Sequence, residues 1–253
     1  MKPRITVARR STEQSSTTEE VVEQITLAEQ VYRTLRQDII SGAVEPDQSL
    51  RLEFLKQRYG ISFSPLREAL NRLQSERLVV STTSRGFRVV PFSVEEMWDA
   101  IETRILIDCE ALRRSIDNAD DRWEASLVGA YHGLKLAASR SANAQQQSEQ
   151  QDEVLEARHL DFHRSLISAC GSPWLMDLSS QMYAQTERYR RPSLLGRPRW
   201  GGSREVQREH QDLMDAAVAR DATRATALLA QHFRGTGDLV TLARKGLHDK
   251  EVK

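Results

Sequence analysis

Cysteine is nearly missing from the 253 residues: Cys109 and Cys170 are the whole complement, and they form no CxxC pair. This excludes a disulfide framework and a thiolate metal or redox site, and both thiols read as small buried helix residues. Long apolar runs are missing too. No stretch approaches the roughly 20 consecutive apolar residues that span a bilayer, and the N-terminus lacks the apolar segment of a secretory signal. The expected location is the cytoplasm, with no membrane partner. There is no Gly-rich phosphate loop, no Ser/His/Asp order and no internal repeat. Net charge is absent as well, since 36 basic side chains meet 36 acidic ones.

A neutral chain is an unpromising start for a nucleic-acid partner, because phosphate binding uses Lys and Arg to displace counterions. The average hides a concentration. Residues 49–88 carry eight basic side chains (Arg51, Lys56, Arg58, Arg67, Arg72, Arg77, Arg85, Arg88) against three acidic ones (Glu53, Glu68, Glu76). A local basic patch on a neutral protein suits tight binding at chosen sites with little binding elsewhere. With 39% hydrophobic residues the chain can build two cores, at about 100–150 residues per domain.

Residues 1–24, with STEQSSTTEE and almost no apolar periodicity, read as a disordered arm. Leu27, Val31, Leu35 and Ile39 then mark one side of a helix ending at Ser41-Gly42. Leu52, Leu55 and Tyr59 mark a second, stopped by Gly60. Ser64-Pro65 reads as an N-cap followed by Pro at the first position of a third helix, which runs to about Ser75. Two short strands, Leu78-Val79-Val80 and Gly86 to Val90, flank a polar tip and form a hairpin wing. Beyond Pro91 every signal is helical, over 94–118, 120–139, 150–170, 173–191, 203–219 and 221–243. The expected fold is mainly α: a winged helix-turn-helix over 25–91, an all-α six-helix bundle over 92–243, and a C-terminal tail over 244–253.

The third helix of such a module enters the major groove. Leu66, Ala69, Leu70 and Leu73 are spaced as its buried face, which puts Arg67 and Asn71 one turn apart on the other side. Arg pairs bidentately with guanine and Asn with adenine. Ser62 and Ser64 at the helix entrance suit phosphate contacts, as do the free N–H groups of the first turn. In the wing, Arg85 and Arg88 are candidates for the backbone or minor groove. Arg72, Arg77 and Arg88 read equally as charges that solvate the surface.

These residues carry a resemblance. The runs LRQDIISGAVEPDQSL and YGISFSPLREALNRLQSERLVVSTTSRGFRVV resemble the DNA-binding module of GntR-family regulators over nearly all of 27–91. Arg67 matches the DNA-contacting arginine of the family's VREAL motif. Phe63 stands where many members place a base-reading arginine, and Glu53 where some place another, so the operator sequence does not carry over. The resemblance implies a homodimer on double-stranded DNA with a palindromic operator.

In the second half, His159 and His163 lie four residues apart on one helix face, with His210 and His232 on two later helices. By spacing alone they are either a shared metal site or ordinary polar and core histidines. ETRILIDCEAL, HLDFHRSLISACGSPWL and REHQDLMDAAVARDATRATALLAQHF resemble the helical FCD domain of the FadR branch. In its metal-containing members an Asp-x-x-Phe-His motif and two later histidines are ligands. Carried over, these are His163, His210 and His232, with His159 in place of the Asp. The resemblance thus implies a divalent metal ion, zinc or nickel for such ligands. Six helices match the VanR-like subgroup, and HxxFH with ERYR is similar to CsiR-type regulators, which respond to a dicarboxylate. It also implies a repressor released by a small organic acid, with Arg104 as the first effector-binding candidate and Tyr189 and Arg190 as further ones. Arg104 reads equally as one half of an interhelical ion pair. His132 and His248 fit no constellation.

A metal-dependent hydrolase is the rival from another class, and a purely structural metal is a third reading. A zincin helix places Glu directly after its first His as general base, but here Leu160 follows His159. Glu209 beside His210 is the one carboxylate that a hydrolase reading has to use.

Overall fold

The computed structural model describes residues 26–82, 86–143, 149–194 and 204–251. The expected N-terminal arm, the wing-tip Arg85 and the ends of two helix connections lie outside them. The chain divides into two compact units between Phe92 and Ser93.

The first unit contains α1 (Leu27–Ser41), β1 (Ser49–Leu50), α2 (Leu52–Tyr59), α3 (Phe63–Ser75), β2 (Val79–Thr82) and β3 (Gly86–Val89). Thr26 caps α1 by accepting from the Glu29 N–H at 3.1 Å, and Gly42 ends it in the left-handed region at φ 82°. α3 starts earlier than the Ser64-Pro65 reading. Its N-cap is Ser62, and Pro65 sits in the first turn, where no N–H has an intrahelical partner to lose. β1 is an addition to the expected wing. It pairs antiparallel with β3, giving the order β1-β3-β2 with Ser49 opposite Arg88 and Leu50 opposite Phe87. Val31, Leu35, Leu55, Leu66, Leu70, Leu73 and Leu78 close one core beneath the helices, each fully buried.

Among the described residues the second unit is a bundle of six helices: α4 (Val94–Asp117), α5 (Asp121–Asn143), α6 (Glu149–Ile167), α7 (Pro173–Leu194), α8 (Arg204–Val218) and α9 (Ala222–Glu251). Ser93 caps α4 by accepting from the Glu96 N–H at 3.2 Å. α4 packs on α7 and α9, α5 on α6, and α8 on α9. Trp123 anchors α5 to α6 by donating its indole N–H to the Ser165 carbonyl at 2.9 Å. Gly237 lets α9 lie close to α4, since a Cβ there would stand 2.8 Å from both Ile101 and Trp98. α9 continues through the segment expected to be a tail. Its last residues, Arg-Lys-Gly-Leu-His-Asp-Lys-Glu, contain good helix formers and no proline, so an established helix extends over them by propensity. Cys170 is buried, whereas Cys109 is half-buried, with its thiol donating to the Thr226 carbonyl at 3.4 Å.

Candidate nucleic-acid interface and metal centre

Burial of Leu66, Ala69, Leu70 and Leu73 turns the opposite side of α3 outward, and Arg67 and Asn71 both lie on that exposed side. Ser62 and Ser64 are exposed at its entrance, and Ser62 makes no side-chain capping bond. The basic patch separates into two groups. Arg58 pairs with Asp38 at 2.8 Å, Arg72 with Glu29 at 2.6 Å, and Arg88 with Asp47 at 3.0 Å. Arg72 also lies 3.8 Å over the Tyr32 ring and holds α3 to α1. Its guanidinium, followed by that of Arg33, keeps the Glu29 carboxyl below its ordinary range. Arg51, Lys56, Arg67 and Arg77 carry no ion pair among the described residues. Arg88, offered as a wing contact, therefore also holds the fold together, because it donates to the Asp47 carbonyl at 3.0 Å and ties the wing to the turn before β1.

In the second unit α6 supplies His159 and His163, α8 supplies His210 and α9 supplies His232, each at most 7% exposed. One ligand nitrogen from each lies within 4.8 Å of all the others. The His159 and His163 Nε2 atoms are 3.2 Å apart. Metal–nitrogen bonds of about 2.0–2.1 Å put two ligands of a tetrahedral ion roughly 3.3 Å apart, so this pair has a ligand spacing. Two further features fit the set to an ion. His210 is hydrogen-bonded to the Val206 backbone, yet its Nε2 is buried without a hydrogen-bond partner among the described residues. His232 directs Nδ1 to the Glu209 carboxylate at 2.8 Å, a bond that fixes the tautomer with Nε2 as the donor atom of the ring. Burial first, then the neighbouring imidazoles and arginines, holds His159, His163 and His210 well below the ordinary histidine value, so they are neutral. Neutral imidazoles bind metal.

His159 and His232 also form part of the wall of a cavity of about 420 Å3, counting the space at its mouth. Arg104, Glu187, Tyr189 and Arg190 line the same cavity. The Arg104 guanidinium is held on three sides: Nε donates to Asp108 at 3.0 Å, Nη1 to Thr186 at 2.8 Å, and its face lies 4.0 Å from the Phe233 ring centroid. Its ion pair is thus with the next turn of its own helix rather than with another helix. Nη2 has no hydrogen bond among the described residues. Arg190 is engaged more fully, by both oxygens of Glu187 and by Glu156. The Tyr189 hydroxyl accepts from Arg188. His132 is exposed and apart from this cluster.

The family profile of bacterial regulatory proteins, gntR family, matches residues 27–89, and the FCD domain profile matches residues 99–235, more than half of the chain. The chain belongs to the GntR family. This GntR regulator is 41% identical to the uncharacterized HTH-type transcriptional regulator BphR of Paraburkholderia xenovorans over 85% of each chain. It is 33% identical to the HTH-type transcriptional repressor GlaR of Escherichia coli, over 80% of this chain and 90% of that one. Among solved structures, E. coli McbR/YncC superposes with a TM-score of 0.70 at 18% identity, covering 87% of this chain and 99% of that one, a likeness of fold. A GntR family member from Pseudomonas syringae matches with a TM-score of 0.50 at 26% identity over 87% of each chain. BphR, GlaR and the Pseudomonas syringae protein are named as transcriptional regulators or repressors, and this chain is a regulator of the same family. Its FCD unit carries the four-histidine cluster.

Several residues of this GntR regulator's site escape a reading of the sequence. The i,i+4 spacing of Arg104 and Asp108 and the i,i+3 spacing of Glu187 and Arg190 are there to find, but such pairs are common on solvated helices and only burial marks these two. Glu156 meets Arg190 across 34 residues, and Glu209 meets His232 across 23, with no local signal.

Proposed function

We propose that this protein is a repressor that binds a palindromic operator as a homodimer and is released by a small carboxylate bound beside a metal centre. The observation that carries the reading is the joint wall of the cavity, where two of four clustered histidines face the same space as a buried arginine with a donor to spare. His159, His163, His210 and His232 would hold the ion, and an all-imidazole set favours zinc or nickel over the hard, oxygen-seeking ions. A bound ion would supply a positive charge, and one that takes a fifth ligand beyond the four imidazoles would accept a carboxylate oxygen.

The protein's own residues do the rest. Asp108, Thr186 and Phe233 fix the Arg104 guanidinium so that Nη2 can donate a charge-assisted bond to the same carboxylate. Tyr189 shapes the cavity, and Arg190 acts through its carboxylate partners. In the DNA-binding unit Arg67 and Asn71 read base edges, while Ser62 and Ser64 contact the backbone and Arg85 and Arg88 the backbone or minor groove. Release requires the carboxylate to bind one arrangement of the dimer better than the other, by a few kcal/mol for a large shift in population. The repressor named among its relatives supports the direction of control, and six helices support the VanR-like subgroup of the FadR branch.

The test is metal content by elemental analysis, with X-ray absorption of the bound ion. One ion per chain in an all-nitrogen shell, lost in His163→Ala, is expected. An unchanged metal content in that variant would remove the centre from the cluster.

A further inference from the structure

Phe63, the first residue of α3, brings no charge to the helix entrance, but its ring is not idle. It packs half-buried against the core of the first unit, and the ammonium of Lys56 lies 4.9 Å from its centroid, inside the roughly 6 Å range of a cation–π contact. Lys56 comes from the last turns of α2, is exposed, and belongs to the part of the basic patch without an ion pair among the described residues. Arg58, two residues on, is instead tied to Asp38.

We propose that Lys56 is a DNA phosphate contact positioned by the Phe63 ring. A lysine ammonium is a point charge without the fork geometry that reads a base edge, so phosphate is the group that it suits. A free lysine spreads its charge over many rotamers. Held over a ring anchored in the core, it stays at the α3 entrance, beside the exposed Ser62 and Ser64 and the free N–H groups of the first helical turn. Phe63 is thus a positioning residue that acts through Lys56, and together they return a cation to the entrance from α2. This inference rests on α3 being the groove helix.

The experiment is the salt dependence of binding by the full-length protein to the promoter fragment that it retains from its own genome. The slope of log affinity against log salt should become shallower in Lys56→Ala by about 0.9 for each recognition helix engaged, so the variant's deficit is roughly 3.5-fold larger at 50 mM than at 200 mM salt for one helix and about 12-fold larger for both helices of the dimer. Phe63→Leu, which keeps apolar bulk without an aromatic face, should shift the slope the same way, Phe63→Tyr should preserve it, and the double variant should lose nothing beyond Lys56→Ala. Thermal unfolding confirms that each variant is folded. An unchanged slope in Lys56→Ala overturns the proposal, and affinity loss in Phe63→Leu without a change of slope overturns the positioning role. Arg67→Ala keeps the two readings apart. If it binds like the parent, the groove role of α3 has failed; if it loses binding while Lys56→Ala keeps its slope, only the Lys56 contact has failed.

Discussion

Acid should unfold the metal-free second unit selectively. His159, His163 and His210 are held neutral, chiefly by burial, well below the ordinary value of 6.5 that they regain in the unfolded chain. Below that value the unfolded chain takes up protons that the folded one refuses, so stability is full above about pH 6.5 and falls as the pH drops. Between pH 6.5 and 5.5 each group costs about 1 kcal/mol, and the three about 3 kcal/mol together, against a total of about 5–15 kcal/mol for an ordinary domain. All four tryptophans, Trp98, Trp123, Trp174 and Trp200, follow Phe92, so urea unfolding watched by tryptophan fluorescence reports this unit alone. The urea midpoint of chelator-treated protein should fall steeply between pH 7 and 5.5, and His163→Leu should reduce the drop by about a third. A midpoint that does not move with pH would refute the buried, neutral state of the cluster.

Glu209→Ala should weaken metal affinity by about tenfold, the low end for an outer hydrogen-bond partner because the carboxylate is partly exposed; competition with a chromogenic chelator measures it. Arg104→Leu should destabilise the second unit by about 3–5 kcal/mol in urea unfolding, since it strands the buried Asp108 carboxylate. Adding Asp108→Leu should restore most of that stability without restoring the response to carboxylate. Leu70→Ala in the fully buried face of α3 should cost the first unit about 2–5 kcal/mol, read by thermal unfolding in circular dichroism.

The long periodic elements are legible in the amino-acid order alone. Four-residue steps from Leu27 to Ile39 and the turn signals at Gly42 and Gly60 mark α1 and α2 because burial and helix termination leave local traces. β1 leaves none: two residues are too few for alternation, and its partner lies almost 40 residues away. The end of α9 is illegible for the opposite reason, since that stretch continues by propensity after the apolar stripe stops. At the site, spacing links His159 to His163, but only the family resemblance adds His210 and His232, whose meeting depends on how α8 and α9 pack. Arg190 reads as a free cation in ERYRR, and packing shows it taken by two carboxylates. A residue's type is local, but whether its charge remains available is decided by distant partners.

The most direct measurement is fluorescence anisotropy of the retained operator fragment, titrated with a panel of small mono- and dicarboxylates against metal-loaded and chelator-stripped protein. One carboxylate class should release DNA from the loaded protein at concentrations that leave the stripped protein bound, and Arg104→Leu/Asp108→Leu should abolish that release. Identical release with and without metal would contradict the coupling of the histidine centre to the effector cavity.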